Sequence, residues 1–304
     1  MKKIFKNADN KRIVIFLLLT FIITYAFEIG IVWQLANSAD AALQSLTKSV
    51  ISFMMLLPAL CVIITRFITK EGFTDAYIKP NFKGNIKYYI LAWLAPAVLV
   101  LFGAVVYFMI FPNKFDINMG YMSLIFSSAG ANLTSAQLRT TAISQIVTGI
   151  VLSPILNIVF CFGEELGWRG YLLPKMSQKF KLVPMLLING LIWGLWHAPI
   201  TIIGHNYGVG YWGYPFTGIL AMCVFCTVIG TLLSYLTVKT HSCIPAAIAH
   251  GSLNGLASAA ALFTSDGGNP FIGPIPTGII GGIGFIIAAV AAVILMRKAK
   301  LKNT

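Results

Sequence analysis

The sequence carries little charge. Only 10% of its 304 residues are Asp, Glu, Lys or Arg, against about 25% in soluble domains, and that excludes an ordinary water-soluble globule. It also lacks alternation. Its apolar stretches of about 20 residues are apolar on every side, so they read as spanning helices and not as barrel strands. No soluble domain, internal repeat or low-complexity tract interrupts them, and residues 1–304 read as a single membrane domain. A disulfide framework is missing too: Cys61, Cys161, Cys223, Cys226 and Cys243 lie within or at the ends of apolar spans. The Cys223-x-x-Cys226 pair has no ligands nearby in the sequence, which argues against a redox or zinc role. There is no HExxH zinc helix and no GxSxG nucleophile turn, and the carboxylates inside the spans are Glu rather than paired Asp.

What is present is hydrophobic: 58% of residues, with a mean hydropathy of +0.83. The pattern predicts an all-α polytopic membrane protein, a bundle of about eight transmembrane helices near 13–36, 48–69, 87–111, 142–173, 182–204, 214–238, 243–263 and 272–296. The first follows Lys2, Lys3, Lys6, Lys11 and Arg12. Its apolar run is too long for a signal peptide and no cleavage site follows. The formal charge of +13 invites a nucleic-acid partner, but its placement argues for topology instead. Of the 22 lysines and arginines, all but Lys48, Lys114 and Arg139 fall at the two termini, in 66–87, in 169–181 or at Lys239. That alternation predicts cytoplasmic N- and C-termini. Thr134-x-x-Gln137 reads as a capping box that opens the fourth span. The glycines Gly278, Gly281, Gly282 and Gly284 predict close packing of the last one. Glu28, a lone acid near the outer end of the first span, reads as a helix-facing or interfacial carboxylate.

Charge inside the spans is concentrated at Glu164, Glu165 and Arg169. Such groups are costly in a bilayer and face a bundle interior or a wet cavity. Glu165 and Arg169 are four apart and meet on one helix face, whereas Glu164 points about 100° away. One carboxylate is therefore paired and the other is available for chemistry. Two more spans carry polar residues four apart: Asn189, Trp193 and His197 on the fifth, His250 and Asn254 on the seventh. At 1.5 Å per residue, Glu164 lies about 15 Å from Pro174, His197 roughly 22 Å from Leu182 and His250 about 10 Å from Cys243. The three then fall in one slab on the cytoplasmic side and line one cavity reached from there, with Trp193 as an apolar wall. The pairs Gly163/Gly167, Gly190/Gly194 and Gly251/Gly255 encode close helix approach beside each cluster. A base, a second base or ligand, and oxyanion donors make an inventory for hydrolysis. A transporter or a non-enzymatic immunity or interaction protein uses similar buried residues. A transporter, however, more often shows broken helices in two related halves, and no such repeat is visible.

On these residues the chain is similar to the CPBP family of intramembrane proteases (CAAX prenyl protease and bacteriocin-processing), also called the Abi family. Its motif Glu-Glu-x-x-x-Arg matches Glu164, Glu165 and Arg169. Its aromatic-x-x-x-His motif matches Trp193 and His197, with tryptophan in place of the commoner phenylalanine. Its His-x-x-x-Asn/Asp motif matches His250 and Asn254, so the motifs lie within 162–255. The resemblance implies an intramembrane endopeptidase acting on a membrane-associated substrate, such as a prenylated CAAX-type or other lipidated protein or a peptide, reached from the membrane or the cytoplasm. The implied roles are Glu164 as base on water with His197 assisting, Glu165 oriented by Arg169, and His250 with Asn254 at the oxyanion. The resemblance leaves open a divalent metal such as zinc, held by Glu164, His197 and His250. Membrane lipid is the other implied partner, and nucleic acid is not.

Overall fold

The computed structural model describes residues 2–302, with side chains from 9 to 298. The side chains of Lys2, Lys3, Lys6, Lys300 and Lys302, which enter the charge count above, lie outside the described residues. The protein is an all-α polytopic membrane protein. No strand forms among the described residues, only isolated bridges such as Phe115 with Thr264. Among those residues, five stretches are long and apolar enough to cross a membrane: α1 (Asp9–Ala36), α2 (Ala41–Ile68), α3 (Ile86–Ile110), Phe216–Thr240 and Ile244–Phe263.

Between α3 and the fourth of these, the expected spans are broken. The stretch 142–173 is not one helix. It divides into α4 (Ser135–Val151), a turn of helix at Ser153–Leu156, α5 (Ile158–Glu165), a π-helical stretch Leu166–Leu172 and a last turn Leu173–Ser177. The span expected at 182–204 divides into α6 (Leu182–Trp196) and Ala198–Ile202, with His197 at the joint. Proline causes both breaks. Pro154 and Pro199 open new helical turns, and each lacks the N–H that would reach the carbonyl four residues back. Those two carbonyls are not left bare. Trp93 Nε1 donates to the Ile150 oxygen at 2.8 Å, and the Tyr25 hydroxyl donates to the Leu195 oxygen at 2.6 Å. Distant side chains thus stabilise the breaks beside the polar clusters.

The remaining helices are α7 (Phe216–Thr240), α8 (Ile244–Leu256) and α9 (Ile283–Lys302). The final expected span, 272–296, is helical only from Ile283. Before it the chain turns through Gly267, Gly268 and Gly273, all at positive φ, which glycine alone adopts readily. The predicted close packing is present there: a Cβ on Gly103 would come within 1.8 Å of the Gly281 oxygen. It is present on α6 as well, where Cβ atoms on Gly190 and Gly194 would each lie 2.4 Å from a Cα of α7. The capping box at Thr134 and Gln137 forms as expected. The core centres on Phe16, Trp168 and Trp196, each fully buried, with ring centres 5.9 and 5.8 Å apart in sequence along the stack. Glu28 is buried rather than interfacial, at the start of a π-helical turn, and neither carboxyl oxygen has a hydrogen-bond partner among the described residues.

Contacts define two ends of the bundle. At one, Arg12 and Lys175 meet Glu71 at 3.1 and 2.8 Å, and Asn81 reaches the Thr240 oxygen at 3.1 Å. At the other, Asp116 N donates to the Phe263 oxygen at 2.8 Å, Lys114 pairs with Asp266 at 2.7 Å, and Tyr211 packs on Phe271 with ring centres 5.0 Å apart. The first is the basic end.

Candidate active site

The two adjacent glutamates part company at the end of α5. Glu165, fully buried, lies 3.1 Å from Arg169 and accepts from His250 Nδ1 at 2.9 Å. The Arg169 guanidinium stacks 4.1 Å from the Trp193 ring centre, a cation–π contact that covers the face its unbonded nitrogens present. Gly230 makes room for it, since a Cβ there would lie 2.6 Å from an Arg169 nitrogen. Glu164, 1% exposed, turns the other way and accepts a hydrogen bond from the Trp193 indole N–H. Trp193 is therefore more than the apolar wall expected from sequence. It fixes one oxygen of Glu164, carries Arg169 on its face and packs between the histidines, with ring centres 5.9 Å from His197 and 5.6 Å from His250.

The histidines are oriented by what their Nδ1 atoms touch. His197 Nδ1 lies 2.9 Å from the Trp193 carbonyl oxygen, which can only accept, so Nδ1 carries the proton and a neutral ring keeps its lone pair on Nε2. The break in α6 allows this, because His197 ends the helix and turns back onto its own last turn. Trp196 Nε1 is held by Thr24 at 2.9 Å, and its ring sits 4.7 Å from that of His197. On α8, His250 faces Glu165, and Asn254 one turn later is exposed, with its amide 3.7 Å from Cys161 Sγ.

Glu164, His197, His250 and Asn254 line one cavity of about 400 Å³, walled also by Trp193, Met54, Met222 and Cys226. Glu165 and Arg169 stand behind it. Among the described residues, no three His, Cys, Asp or Glu side chains gather as ligands for a metal ion. Glu164, His197 and His250 line the cavity without gathering into such a set. Sequence reasoning missed other polar contributors to the walls, among them Lys48, His205 and Asn206. His205 and Asn206 lie in a turn and Lys48 stands in α2 outside any polar stripe, so no spacing marked them.

Trp168, Tyr171 and Met176, all at most 2% exposed, are packed along the segment that leads from Glu164 to the basic end. Beneath them the Tyr171 hydroxyl donates to Glu71, which also binds Lys175 and Arg12, while Arg66 pairs with Asp75 at 2.7 Å. Burial opposes the charge on Glu71, but hydrogen bonds from Lys175 and Tyr171 and the charges of Lys175 and Arg12 outweigh it and hold this carboxyl below its ordinary value.

A family model matches the segment that carries these residues. Residues 142–256 match the family described as type II CAAX prenyl endopeptidase Rce1-like. The segment is similar to that family. The match contains all three motifs, from Glu164 to Asn254, and the broken helices that position them. Over 44 residues the chain is also 36% identical to CAAX prenyl protease 2 of Methanococcus maripaludis, covering 14% of this chain and 16% of that protein. The alignment thus spans well under two thirds of that relative.

Proposed function

We propose that this protein is an intramembrane endopeptidase that hydrolyses a peptide bond of a membrane-associated substrate with water activated by Glu164. The observation that carries the reading is the division of labour between neighbouring carboxylates. Glu165 is neutralised by Arg169 behind the cavity wall, while Glu164 lines the cavity with one oxygen held by Trp193. The other oxygen is left to take a proton from water. His197 assists, its Nε2 lone pair orienting that water. The water oxygen attacks the scissile carbonyl carbon as Glu164 takes its proton, giving a tetrahedral oxyanion. His250 acts as an imidazolium: Glu165 accepts from its Nδ1–H, and its Nε2–H joins the Asn254 amide in stabilising the oxyanion. With both glutamates ionised, Arg169 and the imidazolium balance their charges in the low dielectric. Glu164 then delivers its proton to the leaving amine as the C–N bond breaks, and it regains its starting state. No step runs through a metal, since the side chains do not gather as ligands.

The relative's name, CAAX prenyl protease 2, supports including prenylated substrates in the test. Purified protein is offered a panel of prenylated and unprenylated peptides, with and without a chelator. Cleavage of at least one peptide, unchanged by the chelator, is the expected result. Cleavage abolished by chelation and restored by zinc would replace the metal-free mechanism, and no cleavage of any peptide in lipid vesicles would contradict the proteolytic reading.

A further inference from the structure

We infer that α1 serves the active site directly: Thr24 and Tyr25 are positioning residues that hold the imidazole of His197 in its working orientation. The part that this imidazole plays in hydrolysis rests on the proteolytic reading, whereas the grip on it is a matter of geometry. The family match covers 142–256, and α1 lies outside it.

The break at His197 creates the need for a grip. α6 stops at Trp196, and the next helical turn begins with Ala198 and Pro199. Pro199 has no N–H to offer the Leu195 oxygen, and His197 N reaches back only three residues, to the Gly194 oxygen at 3.1 Å. Thr201 ties down the carbonyl of His197, with N and Oγ1 both 2.9 Å from it. The ring itself is held on its polar side at Nδ1, 2.9 Å from the Trp193 oxygen, with Cys226 Sγ 3.9 Å from the same atom. A neutral hydrogen bond adds little net stability, so the rest of the restraint on the ring comes from packing.

Trp196 supplies that packing, and α1 fixes Trp196. The indole stands 4.7 Å from the imidazole at 85°, so it blocks rotation of the histidine ring out of its plane. It is fully buried, packs edge-on against Trp168 with ring centres 5.8 Å apart, and donates its N–H to Thr24 Oγ1 at 2.9 Å. Tyr25 takes hold of the same turn elsewhere, donating its hydroxyl at 2.6 Å to the Leu195 oxygen that Pro199 leaves free. Neighbouring residues on a helix project about 100° apart. The pair therefore reaches a side chain and a backbone carbonyl at once. Thr24 is completely buried, and within a bilayer no water replaces a hydrogen bond that is lost. Removing either contact thus lets the end of α6 shift, and His197 shifts with it.

Kinetics and histidine NMR of three variants of the full-length protein in detergent test this. Thr24→Val keeps the shape and deletes the acceptor, Tyr25→Phe deletes the donor, and Thr24→Ser keeps a hydroxyl. On a peptide that the purified protein cleaves, Thr24→Val and Tyr25→Phe should lower kcat by about tenfold to a hundredfold, the scale of a misplaced reacting group. KM should not change, and Thr24→Ser should behave like the parent. With nitrogen-labelled histidine, the parent should show His197 as a single Nδ1–H tautomer, assigned by the signal missing from His197→Asn. Thr24→Val and Tyr25→Phe should show it averaged between the two tautomers open to a neutral ring. A lower melting temperature with kcat at the parent level would make the contacts merely structural and overturn the inference. A fall in Thr24→Ser as large as in Thr24→Val overturns it too. So does a His197 that keeps its single tautomer in both weakened variants, whether or not the protein cleaves anything. Averaged tautomers in those variants, with no peptide cleaved by the parent, sink the proteolytic reading and leave the grip on His197 standing.

Discussion

Removing Arg169 tests how the site keeps its two carboxylates distinct. In Arg169→Ala, Glu165 loses its arginine partner in fully buried surroundings. Breaking a buried pair by deleting one member costs about 3–5 kcal/mol, and here two ionised carboxylates are left facing the single imidazolium of His250. At about 2–4 °C per kcal/mol for a large domain, the melting temperature falls by on the order of 10 °C. The loss of the stacked guanidinium from the Trp193 face also loosens the ring that holds Glu164, so turnover falls together with stability. A double variant separates charge from packing. Arg169→Met with Glu165→Gln removes both charges and keeps a similar volume, an exchange that is often close to neutral for stability. It should recover most of the lost melting temperature but not the activity, since a neutral amide in place of the Glu165 carboxylate no longer gives His250 Nδ1 a charged acceptor. The assay is thermal unfolding in detergent followed by tryptophan fluorescence, paired with peptide turnover. An Arg169→Ala protein that melts like the parent, or a double variant that melts as low as the single one, refutes the reasoning.

Two other expectations follow from the same contacts. Trp193→Phe keeps the ring but deletes the N–H on Glu164; a hydrogen bond to a charged group contributes about 1.5–3 kcal/mol, so turnover should drop roughly tenfold to a hundredfold with the fold kept. Full activity in this variant would show that the indole does not position the base. Glu71 gives a pH signature. Its carboxyl is held below the ordinary value, so its stabilisation is present above about pH 4.3 and is lost as pH falls through the lowered folded-state value. The melting-temperature gap between wild type and Glu71→Gln should thus be open near neutral pH and close in acid; a gap that is constant with pH would mean the lock at the basic end does not depend on that charge.

The polar residues that meet at the cavity were more legible in the sequence than the shape around them. Adjacent glutamates with an arginine four residues on already imply one paired and one free carboxylate, because helical geometry sends them in different directions. Histidine at the end of a polar stripe and a His-Asn pair were equally plain. The helix breaks were not. Pro154 and Pro199 sit in runs so apolar that composition reads straight through them, and what makes the breaks tolerable is a Trp93 and a Tyr25 from distant spans. The donor role of Trp193 was hidden for a related reason, since an indole on an apolar helix reads as wall until its N–H is seen to meet a carboxylate.

The central claim, that Glu164 activates the water, is tested most directly by the turnover of Glu164→Gln measured beside its melting temperature. Gln keeps the volume and still accepts from the Trp193 indole but cannot take a proton. The account predicts a protein that melts near the parent and turns over about 10²–10⁴-fold more slowly, the range for loss of a general base. Near-normal turnover by a well-folded Glu164→Gln protein would contradict it.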